Sequence, residues 1–505
     1  MGGPLRPVAK QTAYAACAAL IAGPTVLAFF SGGYFDEPRA WAGLGAWILV
    51  VVALIVVPQA LPRGLPSWLA LSGLGAFAAW TLLSITWAPI AGTAYHYGQI
   101  AFLYLGVLLA AALLLRTRSA AVLVEPALAL GVLIVVGYGI SERLLPGVLH
   151  FARSVSAEGR LEQPLTYWNA MGELAALGVV LCASLAGNPV RPRALRAAAA
   201  AACAPLGLGL YLSFSRGSLF AAAAGLLTLV VVSARRDTLN GTGVAVGAAV
   251  LASLGAAPFH SVTSLAGSLG TREGQGAITL ALLAVIAIAA ALLELRLAVP
   301  APTAPLRLPR RAPLITAFVI VCGMALAIVV GAKEHSGAPL SAGATRFVSL
   351  QSNRYDYWGV ALRAFDAEPF HGVGAGGWAV YWLRYRTISE FAQDAHSLPL
   401  QTLAELGLVG VALLLAFLSG VGATALRALR RSPALAYGPI AVLVTYFAHA
   451  PLDWDWEMPA VTMVAMVLAG ALIALVGVEA PSQSSSAMRG ASRRNTQTAN
   501  TQIAK

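Results

Sequence analysis

Four clusters of polar residues stand beside long apolar runs, where apolar residues would be cheaper to bury. In Leu212-Ser213-Phe214-Ser215-Arg216-Gly217-Ser218 a lone arginine separates two such runs. Its guanidinium can snorkel toward lipid headgroups, or the small residues around it can let a ligand approach the backbone closely. In Arg354-Tyr355-Asp356-Tyr357-Trp358 the arginine can grip a diphosphate through two parallel hydrogen bonds, which lysine does not reproduce. The alternative is a surface ion pair with Asp356 or a neighbour. Asp394-Ala395-His396-Ser397 places an imidazole just before an apolar run. A histidine titrates near neutrality and suits general-base work, although it can equally cap a helix or meet headgroups. Glu405 follows nine positions later, about half a turn out of phase on an ideal helix, so direct pairing with His396 is disfavoured. Asp453-Trp454-Asp455-Trp456-Glu457 offers carboxylates in a D-x-D spacing that Mg²⁺ or Mn²⁺ could use, but the alternating tryptophans favour an interfacial aromatic belt. No metal is assigned.

One further pattern is misleading. Gly372-Val373-Gly374-Ala375-Gly376-Gly377 matches G-x-G-x-x-G, yet a dinucleotide site also needs a preceding strand and a βαβ unit. The surrounding sequence supplies neither, so the stretch reads as a glycine-rich turn.

The elements that position these residues follow from composition. Of 505 residues, 58% are hydrophobic and 11% charged, whereas soluble domains carry about 25% charged residues. That excludes a soluble enzyme, a disordered scaffold and a coiled coil. A membrane helix needs about 20 mainly apolar residues. Such runs lie near 12–30, 41–58, 66–87, 97–115, 120–141, 165–187, 194–212, 217–234, 239–257, 276–298, 312–332, 396–420, 434–451 and 457–477. The expected fold is an all-α polytopic transmembrane bundle of about 12–14 spans. About eleven spans fall in 1–332, with a polar outer loop at 142–164. A long, partly helical extracytoplasmic loop occupies 333–395, with Trp358, Leu362 and Phe365 at helical spacing. The last spans lie in 396–480, and 481–505 reads as a disordered basic tail that meets phospholipid. The first span lacks a convincing cleavage site and reads as an anchor. Cys17, Cys182, Cys203 and Cys322 sit in apolar runs and read as small core residues.

The net charge of +12 is mainly a topology signal. With both termini cytoplasmic, 21 of the 33 basic residues fall on the cytoplasmic side, as the positive-inside rule demands. Nucleic acid is not an expected partner.

Taken together, the motifs resemble the O-antigen ligase and O-antigen polymerase family of bacterial membrane glycosyltransferases. Ser215-Arg216-Gly217-Ser218 opens a span. Arg354 through Trp358 is followed by Pro369-Phe370-His371-Gly372-Val373-Gly374, then Ala395-His396-Ser397, then Glu405-Leu406-Gly407-Leu408-Val409-Gly410. This order is similar to the family's R…W, P-x-x-G-x-G, A-H-N and E-x-G-x-x-G series, with Ser397 where Asn is common. Tyr167-Trp168-Asn169-Ala170, after Arg160, resembles the family's earlier asparagine-containing start of a span. The similarity covers roughly 155–475 and does not separate ligases from polymerases.

The resemblance implies a donor glycan on undecaprenyl diphosphate, transferred to an acceptor hydroxyl on the outer face of the bacterial plasma membrane. The acceptor could be a glycan, a lipid, a wall polymer or a protein. It implies Arg216, Arg354 and Arg160 on the diphosphate, and His396 with Glu405 as catalytic residues. Tyr357, Trp358, Asn169 and Asp453 would support the acceptor. No cofactor is expected, because the energy is stored in the diphosphate. A lipid-linked glycan transporter or flippase is the main rival, and a non-catalytic envelope scaffold is a third reading.

Overall fold

The computed structural model describes residues 7–57, 61–298, 305–331 and 352–477. The basic tail at 481–505 and the first part of the long loop, 333–351, lie outside these. Among the described residues the protein is all α-helical, with a single isolated β-bridge between Arg235 and Pro305.

The first five helices are α1 (Pro7–Ala28), α2 (Asp36–Val56), α3 (Leu65–Leu83), α4 (Ala91–Leu114) and α5 (Arg118–Leu144). Then come α6 (Trp168–Ala186), α7 (Arg193–Leu212), α8 (Arg216–Ser233), α9 (Arg236–Ala256), the short α10 (His260–Ser264), α11 (Leu269–Leu297) and α12 (Ala312–Gly331). Two helices, α13 (Arg354–Ala367) and α14 (Gly377–Tyr385), stand between α12 and the final group. That group is α15 (Leu398–Arg431), α16 (Pro433–His449) and α17 (Pro459–Gly477). Among the described residues, twelve helices are long and apolar enough to cross a membrane, and α12 and α16 add shorter apolar stretches. Every apolar run expected to span coincides with one of these helices.

The bundle is built around α6 and α17, whose apolar windows are wholly buried. On α2 and α11 only 22% of the window is buried, and residues such as Ile55, Val285 and Ile288 face outward. Outward apolar side chains are the mark of a lipid-facing helix, since hydrocarbon replaces water as solvent. The protein is therefore a multi-pass membrane protein. Cys182 and Cys203 are buried core residues, while Cys322 faces outward, and all four cysteines are free.

In α13 and α14 the long loop has its own small core. Tyr357, Val360, Ala361 and Ala364 pack with Trp378 and Trp382. The stripe of Trp358, Leu362 and Phe365 lies beside this core and not within it. Leu362 is exposed and Trp358 only half-buried, because the tryptophans of α14 cover the neighbouring stripe.

Helix α15 is broken at Gly407, where φ is 63° and ψ −162°. Backbone groups freed inside a membrane helix need partners, and the glycine-rich turn supplies them. Leu408 N–H donates to Pro369 O (2.9 Å) and Val409 N–H to Phe370 O (3.2 Å). In return Val373 N–H donates to Ala404 O (3.0 Å) and Gly374 N–H to Glu405 O (2.9 Å). Gly372 has φ of 72°, and a Cβ there would lie 2.2 Å from the Glu405 carbonyl carbon. The G-x-G-x-x-G pattern is thus a backbone clamp on a broken helix.

A Gly372→Ala variant should lose about 2 kcal/mol or more of stability, from backbone strain plus overlap with fixed backbone. Gly359→Ala, on α13 with open space around its Cβ, should be neutral or gain up to about 1 kcal/mol. Thermal unfolding of both variants in nanodiscs checks the contrast.

Candidate functional site

The chain turns that end α1, α3, α5, α7 and α16 share one end of the bundle with α13 and α14, and the polar clusters meet there. Asp453 is its hub. The carboxylate pairs with the Arg354 guanidinium, 99 positions earlier in the chain. It also accepts from the Tyr167 hydroxyl (2.8 Å) and the Trp454 amide (3.0 Å). Asn169 donates its side-chain amide to the Tyr167 hydroxyl (2.7 Å). Arg354 therefore pairs not with its neighbour Asp356, which accepts from Thr387 (2.5 Å), but with the loop before α17.

His396 lies beside this hub with φ of 52°, a left-handed backbone conformation unusual for a non-glycine residue. Its ring stands 5.1 Å from the Tyr357 ring and 5.7 Å from the Trp454 ring. Nδ1 is 2.9 Å from the Asp394 carbonyl oxygen, which directs Nε2 away from its own backbone. The imidazole is half-buried, so one side of the ring remains accessible.

Arg216 is the first residue of α8. Ser215 caps that helix by accepting from the Ser218 amide (3.3 Å). Behind the turn, Ser218 Oγ is 3.2 Å from His449 Nε2, and His449 Nδ1 is 2.6 Å from Asp455 Oδ2. Ser218 also reaches the Asn169 carbonyl oxygen (3.4 Å). The arginine-bearing turn and the start of α6 are thereby tied to the loop that carries Asp453. Asp453 and Asp455 face different partners, Arg354 and His449, so the D-x-D spacing does not converge on one point.

Arg160 is held elsewhere in its loop. It donates to Ala157 O (2.8 Å) and Ser156 O (2.7 Å), and its guanidinium stacks 3.8 Å from the Trp168 ring. Glu405 lies deeper, accepting from the Trp378 amide (3.3 Å) at the start of α14. Tyr357 is buried in the small core, and Trp358 packs on Tyr355.

The sequence reading overlooked Glu173 and His449, which are fully buried inside apolar helices, and also Tyr97 and Gln401. Gln401 bridges Asp394 (3.1 Å) and Glu457 (3.3 Å), while Tyr97 donates to Asp394. The missing signal was available for two of them, since an ionisable residue within a span is a functional candidate by default.

Electrostatics separate the loop carboxylates. Burial pushes Asp453 up, but Arg354, His396 and His449 pull harder, and its pKa ends below the usual value. Burial lowers Arg354, while Asp453 and Tyr167 more than restore its cation. Burial holds Asp394 and Asp455 above the ordinary carboxylate range. Glu457 is raised further by burial and by the nearby Asp394 and Glu405. The site end thus combines an acid–arginine pair whose charges stabilise each other with carboxyls whose burial opposes ionisation.

Residues 259–415 match the family model described as O-antigen ligase. The matched stretch contains Arg354, His396 and Glu405, whereas Arg216, Asn169 and Asp453 lie outside it and join it only in space. A comparison with curated proteins found no match.

Because the Glu457 pKa is raised on folding, its protonated form stabilises the native state. That contribution is present below the unfolded value of about 4.3 and is lost as pH rises through the folded value. Glu457→Gln should therefore unfold at a higher temperature than wild type at about pH 8, with the gap narrowing toward about pH 5. Thermal unfolding across that range checks the sign.

Proposed function

We propose that this chain, assigned to the O-antigen ligase family through residues 259–415, is a membrane glycosyltransferase. It moves a glycan from undecaprenyl diphosphate to an acceptor hydroxyl on the outer face of the bacterial plasma membrane. The observation that carries this reading is the union of Arg354, Asp453, Tyr167 and Asn169 beside the half-buried His396. Both termini are cytoplasmic in this reading, which puts most arginines on the side the positive-inside rule requires.

The acceptor hydroxyl loses its proton to His396 as its oxygen forms a bond to the anomeric carbon. The bond from that carbon to the diphosphate oxygen breaks, and the lipid diphosphate leaves with the electron pair. Direct attack inverts the anomeric centre. Arg354 and Arg216 carry the growing charge on the leaving group, as preorganised cations do best, with Arg160 as a third contact near the lipid. Asp453 keeps Arg354 ionised and aimed. Tyr357, packed beside the His396 ring, and the half-buried Trp358 support the acceptor side of the site, and Asn169 orients Tyr167. Glu405 supports catalysis by holding the start of α14 against the glycine clamp. Neither a nucleotide nor a metal enters these steps.

The broken helix α15 favours a second reading, since interrupted helices also line the binding sites of transporters. In that reading the same residues hold a lipid-linked glycan for translocation.

With extracted undecaprenyl-diphosphate glycans and purified chain in nanodiscs, wild type should release undecaprenyl diphosphate only when an acceptor is present. His396→Ala should slow release by ~100-fold or more. Arg354→Lys should fail to restore what Arg354→Ala loses, because an ammonium lacks the two-pronged geometry. Donor binding without release from any acceptor, together with donor movement between leaflets, would favour the transporter.

A further inference from the structure

A second polar feature lies at the opposite end of the bundle, away from the site. A cavity of about 1220 Å³ opens among the start of α3, the α4–α5 turn, the α6–α7 loop, the α15–α16 junction and the end of α17. Six arginines line it: Arg63, Arg118, Arg191, Arg427, Arg430 and Arg431. Among the described residues, no aspartate or glutamate lines it. Arg191 is buried and anchored to Glu125 (2.7 Å) and to the Val122 carbonyl oxygen (2.5 Å), while its buried Nε has no partner. Arg431 is fixed by the Val476 carbonyl oxygen. The remaining wall is largely apolar, including Ala121, Val122, Leu435 and Leu475.

An excess of arginine at one end is the ordinary signature of membrane orientation. That rule fixes a side and not a position on it. Arg296, Arg310 and Arg311 satisfy it away from the cavity, whereas the six, of which only Arg191 is buried, all line one space. Glu125 offsets the charge of Arg191, but six converging guanidiniums carry more positive charge than one acid balances, and a bound polyanion relieves their mutual repulsion. The position at the helix ends, with cations around the opening and an apolar wall, matches an amphiphile whose charge is in its head. Basic pockets between membrane helices take anionic lipid heads of this kind.

We infer that this cavity is a binding site for the phosphate groups of an anionic phospholipid, with room and charge for a head that bears two phosphates. The lipid bridges the α15–α16 junction to the α6–α7 loop and the end of α17, and so braces the bundle from the side opposite the site.

Native mass spectrometry of the full chain, released from detergent, tests this with added diphosphatidylglycerol, phosphatidylglycerol or phosphatidylcholine. Wild type should retain diphosphatidylglycerol in preference to phosphatidylcholine and should unfold at higher temperature in its presence. Arg427→Gln/Arg430→Gln/Arg431→Gln should bind it about 100-fold more weakly, at roughly fivefold for each guanidinium lost near an anionic surface. Arg63→Gln/Arg118→Gln, at the starts of α3 and α5, should weaken binding by about 25-fold on the same basis and serves if the triple variant does not fold. Arg296→Gln/Arg310→Gln/Arg311→Gln removes the same charge elsewhere on that end and should bind as wild type does. Equal loss in this control, or equal retention by all variants, overturns the site. Stabilisation of wild type by pyrophosphate alone, equal to that by diphosphatidylglycerol, overturns the lipid as the source of the phosphates.

Discussion

A carboxylate buried in a helical membrane bundle must find a cation, a set of donors or a proton, and this constraint shapes one whole end of the protein. Glu173, Asp394, Glu405, Asp453, Asp455 and Glu457 are all buried there. Asp453 takes Arg354, Asp455 takes His449, and Glu405 takes a backbone amide. Asp394 and Glu457 share Gln401. Each solution ties together segments far apart in sequence, so satisfying the charges also assembles the site.

The same economy governs the backbone. Helix α15 breaks at Gly407, and its freed groups would be costly in hydrocarbon. The turn from Pro369 to Gly374 meets them strand-fashion, and glycine is required at 372 because a side chain would overlap the Glu405 backbone. Two motifs that look independent in sequence are therefore each other's hydrogen-bond partners. Glu405 adds the cap on α14, which carries the tryptophans that pack under Tyr357 and, through it, beside His396.

The two ends of the bundle have opposite electrostatic character. One gathers acids around a few cations, and the other gathers arginines, some of them paired with acids, as in Arg191–Glu125 and Arg196–Glu294. An acidic end with a firmly held arginine can select a particular anion and a proton acceptor at once. An end with cations in excess suits the anionic surface of a membrane.

Sequence alone was enough for the membrane class, the positions of the spans and the family resemblance. These depend on composition, run length and local motifs, which the chain carries residue by residue. It also pointed to Arg354, His396 and Asp453 as separate candidates, because a charge beside an apolar run is expensive wherever the chain goes. Which acid Arg354 meets was decided by tertiary structure, since Asp356 is nearer in sequence and Asp453 is nearer in space. The contacts of the buried His449 with Ser218 and Asp455, the reciprocal clamp between the glycine turn and α15, and the convergence of six arginines on one cavity were likewise beyond sequence. Each is a relation between segments tens or hundreds of residues apart, and helical periodicity fixes which face a residue lies on without fixing what that face meets.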